Sequence, residues 1–112
     1  MLTPWEILPL LGLTIHAGER WAERFPESPV SLRVRLAQGG PAVIDLEADR
    51  FYFPVVAPRM FREALTAREW AGGRIRSGRV VTTVTPVDPK IVRSCRRVLA
   101  DAGLAKLTLS QG

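Results

Sequence analysis

The chain has 112 residues, a length that fits one domain, and 46% of them are hydrophobic, as in an ordinary globular protein. Its single cysteine, Cys95, excludes an intramolecular disulfide and favours a reducing compartment. The formal net charge is +5. Residues 1–58 contain five Arg and seven acidic residues (net −2), whereas residues 59–112 contain nine Arg, two Lys and four acidic residues (net +7). This asymmetry points to an anionic partner.

The first 27 residues are predicted to form a helical segment. Residues 3–6 resemble a helix start, with a Thr that can cap, a Pro suited to the first turn and a Glu at the capping-box position. Pro9 ends or kinks that helix because it has no N–H to donate. A second helix is predicted over residues 14–25, where apolar residues recur every four positions and Pro26 follows.

A hairpin is predicted next. Residues 31–36 alternate between aliphatic and polar side chains, including two arginines, and this alternation is typical of a half-buried strand. Residues 42–47 form a second predicted strand. The Gly-rich stretch 38–41 between them favours an antiparallel connection.

The middle of the chain predicts a strand, a helix and another strand. Residues 50–56 are aromatic and β-branched, and Pro54 places this strand at a sheet edge or marks a strand end. Residues 58–71 are predicted to be helical, ended by the Gly pair 72–73. Residues 79–85 are β-branched and predict a further strand.

The C-terminal part contains the clearest helix signal. Asp88 is a predicted cap and Pro89 suits the first helical position. The apolar stripe that follows includes Cys95, and Gly103 is predicted to end the helix. Residues 104–109 are predicted to close the chain as a short strand.

Together these elements predict an α+β fold in the order α-α-β-β-β-α-β-α-β. We expect residues 1–112 to form a single small domain, with the helical segment 1–27 followed by a sheet and two helices over residues 30–112. The sheet is expected to be mainly antiparallel, with about five strands and with helices packed on one face. No Lys or Arg precedes the apolar run 7–15, which is too short to span a membrane. We therefore expect a cytoplasmic protein without a membrane span.

The residues that could support catalysis are few and poorly grouped. His16 is the only histidine, so it and Cys95 cannot supply a zinc ligand set, and Cys95 lies on a predicted apolar helix face where a thiol is inert. The acidic candidates have arginine neighbours, which favours surface ion pairs over acid–base or metal chemistry; they are Glu19, Glu23, Asp45, Glu47 and Asp49. The sequence thus predicts no enzyme, no cofactor and no bound metal.

Residues 73–80 have two glycines at the spacing of a phosphate-binding loop. The loop chemistry is missing, since Arg79 stands where Lys is needed and Val80 where Ser or Thr would bind Mg²⁺. The segment also precedes a strand, where a phosphate-binding loop leads into a helix. A tight turn at Ser77-Gly78 within a basic hairpin is the preferred interpretation.

Two surfaces remain as functional candidates. Basic residues of the hairpin and of the last helix could bind an anion or nucleic acid; these are Arg74, Arg76, Arg79, Lys90, Arg93, Arg96 and Arg97. Apolar and aromatic residues could bury a surface against a second copy or another chain, unless the N-terminal helices cover them; these are Trp5, Leu8, Leu11, Phe51, Tyr52 and Phe53. The leading prediction is a non-catalytic protein–protein interaction or assembly subunit, and the alternative is a nucleic-acid- or phosphate-binding protein.

Overall fold

A six-stranded, mostly antiparallel sheet organises the chain in the computed structural model, which describes residues 1–6 and 8–111, with side chains up to residue 103. Ile7, in the apolar run 7–15, lies outside the described residues. The elements are β1 (Leu2–Trp5), a 3-10 turn (Leu8–Leu10), β2 (Gly12–Leu13), α1 (Ile15–Arg24), α2 (Leu32–Ala37), β3 (Ala42–Asp45), β4 (Arg50–Pro54), α3 (Phe61–Thr66), β5 (Trp70–Arg76), β6 (Val80–Pro86) and α4 (Pro89–Gln111). The strand order is β1-β3-β4-β5-β6-β2, and only β2 runs parallel to its neighbour. The predicted α+β class is confirmed.

Helices cover both faces of this sheet, so the prediction of helices on one face is wrong. Along β4 the side chains alternate: Phe51 and Phe53 lie on the first face and Tyr52 on the second. Helices α1 and α2 and the 3-10 turn pack on the first face, whereas α3 and α4 pack on the second. A strand with aromatic side chains on both sides needs an apolar layer on each.

The helix predicted over residues 14–25 is confirmed as α1. The Thr14 hydroxyl caps it by accepting a hydrogen bond from the Ala17 N–H at 3.1 Å. Trp21 and Phe25 are buried against the sheet, and the Trp21 indole donates to the Val30 carbonyl at 3.0 Å. The helix is therefore anchored to the first face and to the loop that follows it.

The helix start predicted at residues 3–6 is wrong, because Leu2–Trp5 forms strand β1. This strand pairs antiparallel with β3, with Leu2 opposite Asp45. The distant partner overrides the local helix signal, and an edge strand tolerates Pro4 because its missing N–H leaves no inner ladder bond unmade. Strands β1 and β2 lie at opposite edges of the sheet, and the chain between them crosses the first face with Leu8 and Leu11 buried.

Residues 31–36 were expected to form a strand, but the structure has helix α2 there. The Ser31 hydroxyl caps this helix by accepting from the Val34 N–H at 3.3 Å. The residues that it buries are Leu32, Arg35 and Leu36, whose spacing of three and four places them on one helix face. The hairpin with residues 42–47 therefore does not form, and β3 pairs with β4 instead.

Arg35 is a buried arginine without a carboxylate partner among the described residues. Its side chain is 0% exposed, and its Nε and Nη1 donate to the carbonyls of Pro54 (2.9 Å) and Gly39 (2.8 Å). The guanidinium lies 5.4 Å from the centroid of the Phe53 ring. Burial lowers the pKa of Arg35 to about 10, so it remains charged at neutral pH. It ties α2 to the end of β4 and to the loop before β3.

The glycines predicted to end helices lie inside regular elements. The helix expected over residues 58–71 shortens to α3, and the pair 72–73 lies in the middle of β5. Gly103 does not end α4, and a Cβ at this position would stand 2.7 Å from Cε1 of Phe61. The missing side chain lets α3 pack closely on α4.

Other predictions for the second half of the chain have mixed outcomes. Pro54 does end its strand, but β4 is a central strand and not an edge. Strand β6 confirms the prediction for residues 79–85, and the helix start is confirmed because Asp88 Oδ1 accepts from the Lys90 N–H at 2.7 Å. The strand predicted over residues 104–109 is wrong, since α4 continues to residue 111; the side chains beyond residue 103 lie outside the described part.

Candidate nucleic-acid interface

The β5–β6 hairpin ends in the predicted tight turn. Ser77 and Gly78 both have positive φ angles, 55° and 66°. Two consecutive positive φ angles are typical of type I′ turns, whose backbone twist matches that of the flanking strands. The Arg79 N–H donates to the Arg76 carbonyl at 3.2 Å and closes the turn. The segment with phosphate-loop spacing therefore joins two antiparallel strands and leads into no helix.

Part of the second face of the sheet is basic and open. The side chains of Arg50 and Arg74 lie directly opposite each other on β4 and β5, on the face to which Tyr52 belongs. Arg76 follows on the same side of β5 and is exposed, as is Arg74. Helix α4 packs over β1 and β3 and leaves this region uncovered.

Strand β6 contributes hydroxyl groups to the same region. Thr83 lies opposite Arg74, and Thr85 lies opposite Gly72. Both threonines are half-buried. Arg50, Arg74 and Thr83 thus form a row across three neighbouring strands, which are spaced about 4.8 Å apart.

Arg24 reaches this region from the first face. It is the last residue of α1, and its Nη1 donates to the Val84 carbonyl at 2.6 Å along β6. Beyond Val81, no strand of the described residues pairs with β6 on that side, so its carbonyls can accept such a bond. A pocket of about 270 Å³ results, lined by Arg24, Arg50, Gly72, Gly73, Arg74, Thr83 and Thr85.

We call Arg24, Arg50, Arg74 and Arg76 the basic face. Sequence analysis identified two of the four, and it missed Arg24 and Arg50 because they lie far away along the chain. The alternation in β4, which separates Arg50 from the neighbouring Phe51, is the signal that could have placed Arg50 on this face. Which residue of β5 lies opposite Arg50 depends on the register of the two strands, and local patterns do not determine that register.

The basic face has no ion-pair partner among the described residues. The ion pairs of the described residues lie elsewhere: they join Arg20 to Glu23 at 2.7 Å and the N-terminal amine to Asp45 and Glu47. Asp45 lies opposite Arg50 on β3, but its Oδ1 accepts hydrogen bonds from backbone N–H groups of the turn that follows. Asp45 places one negative charge beside Arg50, and the four arginines of the basic face keep an excess of positive charge.

Tyr52 is the aromatic residue that follows Arg50 on the same face of β4, and it is 5% exposed. Burial raises its pKa above the ordinary value, while the positive charge of Arg50 opposes this rise. Its ring is part of the core below α4, so it offers no stacking surface to a base.

The basic residues predicted on the last helix form a separate surface. Arg96 turns toward α3, where its Nη2 donates to the Ala67 carbonyl at 2.6 Å. Arg93 and Arg97 are exposed on the side of α4 opposite its buried residues, so they point away from the sheet. Lys90 is exposed in the first turn of α4, and Arg79 is exposed at the hairpin tip.

Most of the residues predicted as a protein interface are core residues. Leu8, Leu11, Phe51, Tyr52 and Phe53 are at most 9% exposed. They are covered by elements of the same chain and present no surface to a partner. Trp5 is the exception: it is half-buried, its ring lies edge-on to Phe51 at 5.8 Å, and it lines an apolar cleft.

The candidate catalytic side chains do not meet. His16 is exposed on α1 at the first face, where its Nε2 accepts from Arg20 Nε at 3.3 Å. Cys95 is fully buried under the second face, and burial raises the pKa of its thiol to about 12. A thiol with that pKa stays protonated at physiological pH and is a poor nucleophile.

The acidic candidates are surface groups. Glu23 pairs with Arg20, Glu47 approaches the N-terminal amine at 3.4 Å, and Glu19 and Asp49 are exposed. Within residues 1–6 and 8–103, no three His, Cys, Asp or Glu side chains are placed to hold a metal ion.

None of the helices in the described part of the chain has the length and apolar character needed to cross a bilayer. Comparisons of the chain with protein-family models, with curated proteins and with solved structures found no match.

Proposed function

We propose that the protein binds nucleic acid through the basic face, chiefly by contacts to phosphate. The observation that supports this most strongly is the direct opposition of Arg50 and Arg74 on neighbouring strands, without an ion pair for either among the described residues. Like charges in that position destabilise a sheet. A bound anion removes the repulsion, so the arrangement favours a phosphate-bearing ligand over an empty surface.

The residue types fit a nucleic-acid backbone. Arginine presents a planar fork that binds phosphate oxygens in pairs, and the chain has far more arginine than lysine. Arg76 and Arg79 extend the positive charge from the pocket to the hairpin tip. No aromatic residue lines the described pocket to stack on a base. Because contacts to phosphate carry no sequence information, binding is expected to be largely independent of sequence.

Removing two charges of the basic face tests the proposal. We expect Arg74→Ala/Arg76→Ala to weaken binding of a labelled DNA duplex by at least tenfold at about 50 mM salt, where phosphate contacts dominate affinity. The slope of log affinity against log salt is expected to shrink by about 0.9 for each phosphate that the variant no longer neutralises. Fluorescence anisotropy at several salt concentrations measures both quantities.

A charge-matched control separates a site from net charge. Arg33 and Arg62 are exposed on α2 and α3, so Arg33→Ala/Arg62→Ala lowers the net charge equally without touching the basic face. This variant is expected to keep the affinity and slope of the natural protein within about a factor of two. Equal losses in both double variants, or no binding of the natural protein at low salt, would contradict the proposal.

Self-association is a second candidate, favoured by the position of Trp5. This residue lies on the edge strand β1 and lines an apolar cleft of about 280 Å³ with residues of β3, α3 and α4. A partly exposed tryptophan at a sheet edge is a typical interface residue. Sedimentation at several concentrations is expected to show a dimer that Trp5→Ser converts to a monomer. A natural protein that stays monomeric at every concentration would exclude this candidate.

A further inference from the structure

We infer that the pocket of the basic face holds a single phosphate group of the nucleic acid, bound between Arg50 and Arg74. This inference rests on the proposed function and assigns the contact within it. It concerns the row formed by Arg50, Arg74 and Thr83 together with Arg24, which enters from the edge of β6.

The donors around the pocket converge from three directions. Arg50 stands on β4 and Arg74 on β5, while Arg24 is held in place by its 2.6 Å bond to the Val84 carbonyl. Because a guanidinium has five N–H donors, Arg24 keeps donors for a ligand after making that bond. Thr83 and Thr85 add hydroxyl groups from β6. A tetrahedral oxyanion can accept from all of these sides at once, which a planar carboxylate cannot.

The size of the pocket limits what it can hold. Its volume of about 270 Å³ lies just below the range of pockets that enclose drug-sized molecules. The strand backbone at Gly72 and Gly73 borders it, and no aromatic ring lines it for base stacking. A phosphate with part of its sugar fits these limits, whereas an enclosed and stacked nucleotide does not.

Charge also favours one bound phosphate at this position. Arg50 and Arg74 repel each other across the strands, and the Asp45 carboxylate beside Arg50 offsets only one of the two positive charges. An oxyanion between the two guanidiniums forms charge-assisted hydrogen bonds with both. Arg79, at the hairpin tip, lies outside the pocket lining and contributes only long-range attraction.

Two single variants with the same charge change test the assignment. We expect Arg50→Ala to weaken binding of a single-stranded oligonucleotide about tenfold, the effect of losing charge-assisted hydrogen bonds, and Arg79→Ala about twofold. Thr83→Val changes no charge and keeps the side-chain shape, and it is expected to weaken binding about threefold because it removes the hydroxyl. Thermal unfolding of each variant verifies that it folds.

Three forms of the same oligonucleotide identify the source of the phosphate: a single strand with a 5′-phosphate, a single strand with a 5′-hydroxyl, and a duplex. If the pocket binds a terminal phosphate, Arg50→Ala weakens binding of the 5′-phosphorylated strand only. If it binds an internal phosphodiester, Arg50→Ala weakens binding of all three forms equally. Either pattern supports a single phosphate in the pocket.

The failure of this inference is distinguishable from the failure of the proposed function. If the natural protein binds all three probes but Arg50→Ala and Thr83→Val bind as it does, the pocket assignment is wrong and the proposed function stands. If no probe binds, both are wrong. Titration with inorganic phosphate, followed by the Nε–H signals of the arginines in NMR spectra, gives an independent readout. Shifts confined to Arg24, Arg50 and Arg74, and absent with chloride at equal ionic strength, support the pocket.

Discussion

Replacing Arg35 by Ala is expected to lower the free energy of unfolding by about 3–5 kcal/mol, a large fraction of the total for a domain of this size. The change removes a fully buried side chain and leaves a cavity beside Phe53. It also leaves the carbonyls of Pro54 and Gly39 without their donor. Urea unfolding followed by tryptophan fluorescence measures the loss, because Trp21 and Trp70 are buried.

Two further variants separate the causes of this loss. Arg33→Ala, on the exposed side of the same helix, is expected to change stability by no more than about 0.5 kcal/mol. Arg35→Met keeps most of the packing volume and loses only the donors, so we expect its stability loss to lie between those of Arg33→Ala and Arg35→Ala. A stability of Arg35→Ala within about 1 kcal/mol of the natural protein would show that the buried guanidinium does not hold α2 against β4.

Gly73→Ala is expected to destabilise the protein by about 3 kcal/mol, at the upper end of what overpacking a core usually costs. A Cβ at this position would overlap Cε1 of Phe51 and stand 2.9 Å from its Cζ. The Phe51 ring cannot easily move, because it is fully buried, stacked on Phe53 at 5.2 Å and in edge contact with Trp5. Thermal and urea unfolding measure the change.

A double variant tests whether the Phe51 ring is the cause. Phe51→Leu shortens the side chain, so Gly73→Ala/Phe51→Leu is expected to lose less stability than the sum of the two single variants. Gly12→Ala is the matched control, since its Cβ would meet only the Arg79 carbonyl, at 3.9 Å. If the stability loss of the double variant equals the sum of the two single losses, the clash with Phe51 is not the cause.

Local patterns predicted the fold class and several element positions, but not the elements that depend on distant partners. Helix α1 and the start of α4 carry their caps, Thr14 and Asp88, within the segment itself. Strand β1 has no such local signal: its backbone is satisfied by β3, some forty residues away. Residues 31–36 fit both a period of two and a helical spacing, and a run of six residues is too short for periodicity to decide.

The same limit applies to the candidate site. The cluster of Arg74, Arg76 and Arg79 is visible in the sequence because the three lie within six residues. Arg50 joins it only through the register of β4 against β5, and Arg24 only through the packing of α1 against β6. The glycines at 72 and 73 signal a break when read locally, yet they allow close packing in the sheet centre.

The placement of β1 and β2 at opposite edges of the sheet has a consequence for how the chain reaches its native state. The first thirteen residues provide both edge strands of the sheet, but β2 pairs with Val80 and Val81, which lie far from it along the chain. During synthesis β2 leaves the ribosome before β6, so it meets this partner only after the β5–β6 hairpin has emerged. Such contacts between distant segments slow folding, so the closing of β2 onto β6 is expected to be a late event in the maturation of this protein.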